Sequence, residues 1–159
     1  MKKKLLTLNM QDVIQRVLAL SAAGFTDEAV NDGSPRRAVL TDDHRLLLAM
    51  LGWDRMRRLC ADLNGWLGSV ETHGTGDPDG EMCITLVTSR RWQETTLNLA
   101  RELATDCAAH GVLELLDSGK ADSDGSFHHA RAEEALQGLK NLLRGADARK
   151  RYKIKPHWY

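Results

Sequence analysis

The apolar content of this chain is carried by leucine, and that constrains its fold more than any motif does. Twenty-four leucines stand against two phenylalanines and two tyrosines. Leucine and alanine keep their rotamer freedom in a helix, whereas strands draw on β-branched and aromatic side chains. The apolar residues also recur at helical spacing, most clearly at Leu48, Leu51, Met56, Leu59, Leu63 and Trp66. The expected class is mainly α: about four helices in a bundle-like domain, one short β-hairpin or strand, and an extended C-terminal tail. At 159 residues one domain is expected, residues 1–145, with the tail at 146–159.

Local signals place the elements. A first helix is predicted from about Met10 to Ala23, with Asn9 as its N-cap and Gly24 as its stop. Residues 25–40 read as irregular around the turn cluster Asp32-Gly-Ser-Pro35. Thr41 then caps a second helix running to about Leu67, with Asp42 and Asp43 at the positive end of its dipole. The polar, glycine-rich stretch 68–80 reads as a mobile loop or the tip of a hairpin. Met82 to Thr88 is the single convincing strand, and it needs a partner, either Gly68 to Thr72 or a neighbouring subunit. A third helix is predicted from just after Thr88 or Ser89 to about Leu116. Its small residues Ala100, Ala104, Ala108 and Gly111 imply close approach of another helix. After a polar loop, Ser126 caps a fourth helix from Phe127 to Gly145, with Ala132, Ala135, Leu136, Leu139, Leu142 and Leu143 as its apolar positions.

Charge and cysteine usage narrow the function classes. The 22 basic and 22 acidic residues cancel, which argues against a general nucleic-acid binder. The basic residues are nevertheless concentrated at the ends, in Lys2 to Lys4 and beyond Arg149. Cys60, Cys83 and Cys107 form no C-x-x-C pair, so the pattern suggests neither a disulfide framework nor a zinc site and suits a reducing compartment. The apolar stretch after the lysines is too short for a signal peptide, and no run approaches a membrane span, so a soluble intracellular product is expected.

The constellations that mimic chemistry each have a plainer explanation. Adjacent His128 and His129 point about 100° apart on a helix and so cannot share a metal, which leaves them as exposed first-turn residues. Cys107 and His110 face the same way three residues apart, yet no third group is placed to orient the imidazole. Asp122-Ser-Asp124-Gly125 resembles the middle of a calcium loop, but Lys120 and Arg131 would occupy its first and last ligand positions. Gly74-Thr-Gly76 precedes a strand rather than opening a helix, so it is no phosphate loop. No catalytic residue, cofactor or metal is expected.

The C-terminal segment stands apart. Five of the seven residues from Arg149 to Lys155 are basic, and Pro156 rules out a continuing helix. A cationic end that also carries aromatics is suited to docking, so Arg149, Lys150, Arg151, Tyr152, Lys153, Ile154, Lys155, Trp158 and Tyr159 are the expected partner-binding residues. Loose contact with a phosphate backbone is compatible with it, whereas base-specific reading lacks a basic recognition helix.

The order of these elements resembles the head–tail connector, or head-completion, proteins of tailed phages and prophages. The resemblance rests on the Thr41-Asp42-Asp43 helix start, the hairpin with its strand at Met82 to Thr88, the small-residue helix, the Leu/Ala helix, and the ending Lys153-Ile-Lys-Pro-His-Trp-Tyr159. It covers roughly residues 8–159, as a pattern of elements rather than an invariant motif. The resemblance implies a structural subunit of the virion neck, made in the bacterial host cytoplasm and lacking enzymatic activity and cofactors. Such subunits form a ring of about a dozen copies below the portal, a closed cyclic assembly. They contact portal and tail or stopper proteins and surround the DNA channel. A small cytoplasmic helical adaptor unrelated to phage is the alternative reading.

Overall fold

In a computed structural model, residues 2–29, 40–88, 92–117 and 125–147 are described. They form seven regular elements: β1 (Lys2–Asn9), α1 (Met10–Ala29), α2 (Arg45–Asp62), β2 (Leu67–His73), β3 (Glu81–Thr88), α3 (Glu94–Asp117) and α4 (Gly125–Asp147). The mainly helical class and the four helices are as the leucine pattern predicts.

The sheet is larger than expected. β3 lies in the centre, antiparallel to β2 on one side and to β1 on the other. The hairpin partner proposed for the Met82 to Thr88 strand is therefore present, and the N-terminal strand is an addition. Lys2, Lys3 and Lys4 stand out in the sequence only as a concentration of charge, but lysine is also what protects an edge strand from pairing with other chains. Lys2 pairs with Thr88 and Asn9 with Glu81, so the whole of β1 is in register with β3. On the edge of β1, Arg101 Nε donates to the Thr7 carbonyl at 3.2 Å.

Alternation in β3 decides how the layers stack. Met82, Ile84, Leu86 and Thr88 face inward and are buried, while Glu81, Cys83, Thr85 and Val87 face the other side. Leu6 and Leu8 of β1 extend the buried face. Onto it pack Val13, Ile14 and Val17 of α1 and Leu48, Trp53, Met56 and Leu59 of α2, all essentially without solvent contact. The small residues of α3 act as predicted: Ala100, Ala104, Ala108, Ala109 and Gly111 are buried. α3 packs most extensively against α4, whose Leu139 and Leu143 are fully buried. It also contacts α1 and α2, which makes it the central helix. At Gly111 an added Cβ would lie 2.9 Å from Arg55 Cδ of α2, so a glycine is what admits that arginine.

Three boundaries differ from expectation. α1 continues through Gly24 to Ala29, because a glycine within a helix costs only about 1 kcal/mol and does not force an end. α2 begins at Arg45 after a 3₁₀ turn over Asp42–His44, in which His44 Nδ1 accepts the Thr41 backbone N–H at 3.1 Å. It ends at Asp62, where Asn64–Trp66 tighten into a second 3₁₀ turn that leads into β2. α3 and α4 start at Glu94 and Gly125, within a few residues of the predicted positions.

Candidate functional site

The expected docking segment, Arg149 to Tyr159, lies outside the described residues, as do Asp122 and Asp124. The hairpin around residues 68–88 is fully described.

Its turn is held rather than loose. Gly74 and Gly76 adopt positive φ, which glycine reaches without steric cost, and this lets the chain reverse within a few residues. Asp77 N–H donates to the Gly74 carbonyl and Gly80 N–H to that of Asp77, at 3.0 and 3.2 Å. The Trp53 indole N–H reaches from α2 to the Asp77 carbonyl at 3.1 Å. Met10 N–H, at the start of α1, donates to the Gly80 carbonyl at 2.9 Å. Gln11 and Arg45 both donate to the Asp79 carboxylate, at 2.6 and 3.4 Å. One glycine-rich stretch is thus tied both to α1, through Met10 and Gln11, and to α2, through Arg45 and Trp53. Of the two readings of residues 68–80, the hairpin tip is the one present.

β2 itself is exposed along nearly all its length. From Gly68 to His73 every residue is exposed, although Val70 sits opposite buried Ile84. Among the described residues its outer edge makes no backbone hydrogen bond to another element, since the only ladder it joins is that with β3. A second uncovered apolar patch lies on the first turns of α2, where Leu46, Leu47 and Met50 are 71%, 43% and 65% exposed.

The outer face of the hairpin carries polar groups that the sequence separates. His73 pairs with Glu81 across the ladder, and Glu71 pairs with Cys83. The His73 imidazole, the Glu81 carboxylate and the Cys83 thiol bring one ligand atom each within 4.8 Å of one another. Thr7 Oγ1 of β1 lies 3.9 Å from Cys83 Sγ. Sequence reasoning missed this group because it searched for ligand pairs by spacing. Laying residues 67–73 antiparallel on 81–88 would have revealed it.

At the other end of the molecule the histidines are arranged differently from the prediction. His128 and His129 diverge, as neighbouring helix residues must. His128 is not solvent-exposed, however, but turns inward between α3 and α4. Its Nδ1 lies 3.1 Å from His110 Nδ1, and its Nε2 lies 3.6 Å from buried Asp117. Only one proton fits between the two facing nitrogens, so the rings cannot both be cations. Burial, then the neighbouring charges of His128, Arg131 and Arg16, bring His110 down to about 4. His129 points outward to Glu114 at 2.9 Å.

Cys107 and His110 form no hydrogen bond among the described contacts, since His110 is turned to His128 instead. Burial, with Asp62 and Glu133 adding to it, pushes the Cys107 thiol up to about 11, the opposite of what a nucleophile needs. The cavity it lines with Arg55, Glu114 and His129 measures about 40 Å³, room for a water molecule and not for a substrate. A wider groove of about 370 Å³ runs between α1 and α3. Within it Arg16 pairs with Glu102 at 2.7 Å, and with the adjoining Asp106 at 3.2 Å.

No described helix is long and apolar enough to cross a membrane. Compared with known protein families, with curated proteins and with solved structures, the chain matches none of them.

Proposed function

We propose that this protein acts by binding, as a head–tail connector subunit of a tailed-phage or prophage virion. In this reading copies assemble as a ring of about a dozen beneath the portal, extend the DNA channel and present a platform to tail or stopper proteins. The chain is made in the bacterial cytoplasm and ends up in the virion neck. The observation that carries the reading is β2: an edge strand exposed on both faces, with its outer ladder unused among the described residues, on a hairpin tied at its tip. An open edge is a template for strand addition by a neighbour. Where the partner surface on the next copy differs from the edge itself, the contact is heterologous and repeats until it closes a ring. The exposed Leu46, Leu47 and Met50 patch supplies apolar area of the kind that subunit contacts cover. A chain with no net charge lets identical copies pack without strong mutual repulsion. The basic, aromatic segment Arg149 to Tyr159 is assigned to the portal.

The test has two stages. Sequencing the DNA flanking the gene is expected to find portal, capsid and tail genes; a metabolic or regulatory operon would leave a small helical adaptor as the better reading. The purified full chain should then bind the portal protein encoded beside it. Deleting residues 149–159 should abolish that binding while leaving the melting temperature unchanged. Portal binding that survives the deletion refutes the role assigned to the tail.

A further inference from the structure

We infer that the outer face of the β2–β3 hairpin is a binding site for a single zinc-class divalent cation, held by His73, Glu81 and Cys83. The inference stands on the fold alone and goes beyond the connector reading.

Geometry comes first. The three donor atoms lie within 4.8 Å of one another on one face of two paired strands. Around a tetrahedral zinc, with bonds of about 2.0–2.3 Å, neighbouring donors stand about 3.3–3.8 Å apart. Side-chain rotations of about 1 Å therefore close the set without moving the backbone. Alternation along β3 keeps Glu81 and Cys83 on the same face, and the register puts His73 directly opposite Glu81. Glu71 is the ladder partner of Cys83, next to the three ligands in the register. Either its carboxylate or a water completes four-coordination.

Donor chemistry selects the ion. One imidazole, one thiolate and one carboxylate are a mixed set of borderline hardness, suited to zinc rather than to calcium or magnesium, which take oxygen ligands. The charges also balance: a thiolate and a carboxylate neutralise a divalent cation, and the imidazole is neutral. Binding transfers the Cys83 proton to solvent as the sulfur–metal bond forms. Thr7 Oγ1, 3.9 Å from the sulfur, is then its hydroxyl donor, a supporting hydrogen bond of the kind that tunes metal–thiolate sites.

Rigidity is the third element. His73 enters the turn and Glu81 leaves it, and that turn is fixed by Trp53, Met10, Gln11 and its own backbone hydrogen bonds. The entropy of bringing the two strands together is already spent in folding, so the ion meets a preformed pair of strands.

The experiment uses cobalt(II) as the probe, titrated into the reduced full chain and followed by absorption. A thiolate ligand gives a sulfur-to-cobalt charge-transfer band that nitrogen and oxygen ligands do not. The expected result is a band saturating at one equivalent, displaced by zinc. It should be lost in Cys83→Ser and retained in Cys60→Ser and Cys107→Ser. His73→Gln and Glu81→Gln, both substitutions at the sheet surface, should each weaken zinc in a chelator competition by at least about 10–100-fold, the range seen when metal shells are damaged. Their melting temperatures without metal should match the parent's, which separates loss of ligation from loss of fold. Absence of the band, or a band that survives Cys83→Ser, overturns the site. Unchanged zinc affinity in both glutamine variants overturns it as well.

Discussion

The His110–His128 contact makes stability depend on pH in a direction that can be worked out in advance. His110 of α3 faces His128 and Arg131 of α4 and Arg16 of α1, and it is partly buried. In the unfolded chain its imidazole takes a proton near the usual value of 6.5; in the folded protein that point falls to about 4. Between those values the unfolded state binds more protons, so stability falls as pH falls. The contribution is intact above about pH 6.5, is reduced by about 2 kcal/mol at pH 5, and is reduced by about 3 kcal/mol near pH 4. His110→Asn keeps an amide near the position of Nδ1 and cannot take a proton. Urea unfolding of both proteins, followed by tryptophan fluorescence from pH 7.5 to 4.5, isolates the effect, because other titrating groups largely cancel in the difference. The parent should lose about 2 kcal/mol relative to the variant between pH 7.5 and pH 5. A difference that stays flat, or that moves the other way, refutes the desolvated His–His contact.

Other substitutions test the packing. Gly80→Ala forces a methyl against the Gly74 carbonyl and to 2.6 Å from the buried Trp53 ring, neither of which can yield. It should cost about 2–3 kcal/mol in urea unfolding, whereas Gly65→Ala, which meets nothing, should be neutral or slightly stabilising. Leu139→Ala removes a side chain with no exposure from the α3–α4 seam and should cost about 2–5 kcal/mol; Phe127→Ala, half exposed, should cost less than Leu139→Ala in the same denaturation assay. Burial pushes the Cys60 and Cys107 thiols up to about 11, so at neutral pH each holds on the order of 100-fold less thiolate than an ordinary cysteine. Peptide mass mapping after brief iodoacetamide treatment should find both largely unmodified. Rapid labelling of Cys107 would revive it as a nucleophile.

Much of the architecture follows from local rules that operate within a few residues. Leucine at helical spacing gives four helices, and an Ala/Gly stripe gives the helix that others approach closely. The run from Met82 to Thr88 gives a strand that requires a partner, and two glycines at positive φ let its hairpin close. These are matters of propensity, period and turn chemistry, and the sequence by itself determined them. What needed the tertiary structure is whatever depends on residues far apart in the chain. Lys2 to Lys4 are only a concentration of charge in the sequence until pairing with residues 86–88 makes them part of an edge strand. Gly24 looks like a stop because its intrinsic cost is visible in the sequence, while what outweighs that cost is not. His128 looks exposed until α4 lies along α3 and turns it onto His110 and Asp117. His73, Glu81 and Cys83 are scattered over eleven positions of ordinary hairpin sequence until antiparallel register stacks them on one face. Local preference fixes which elements form; register and helix contact fix which side chains meet, and the chemistry of this protein resides in those meetings.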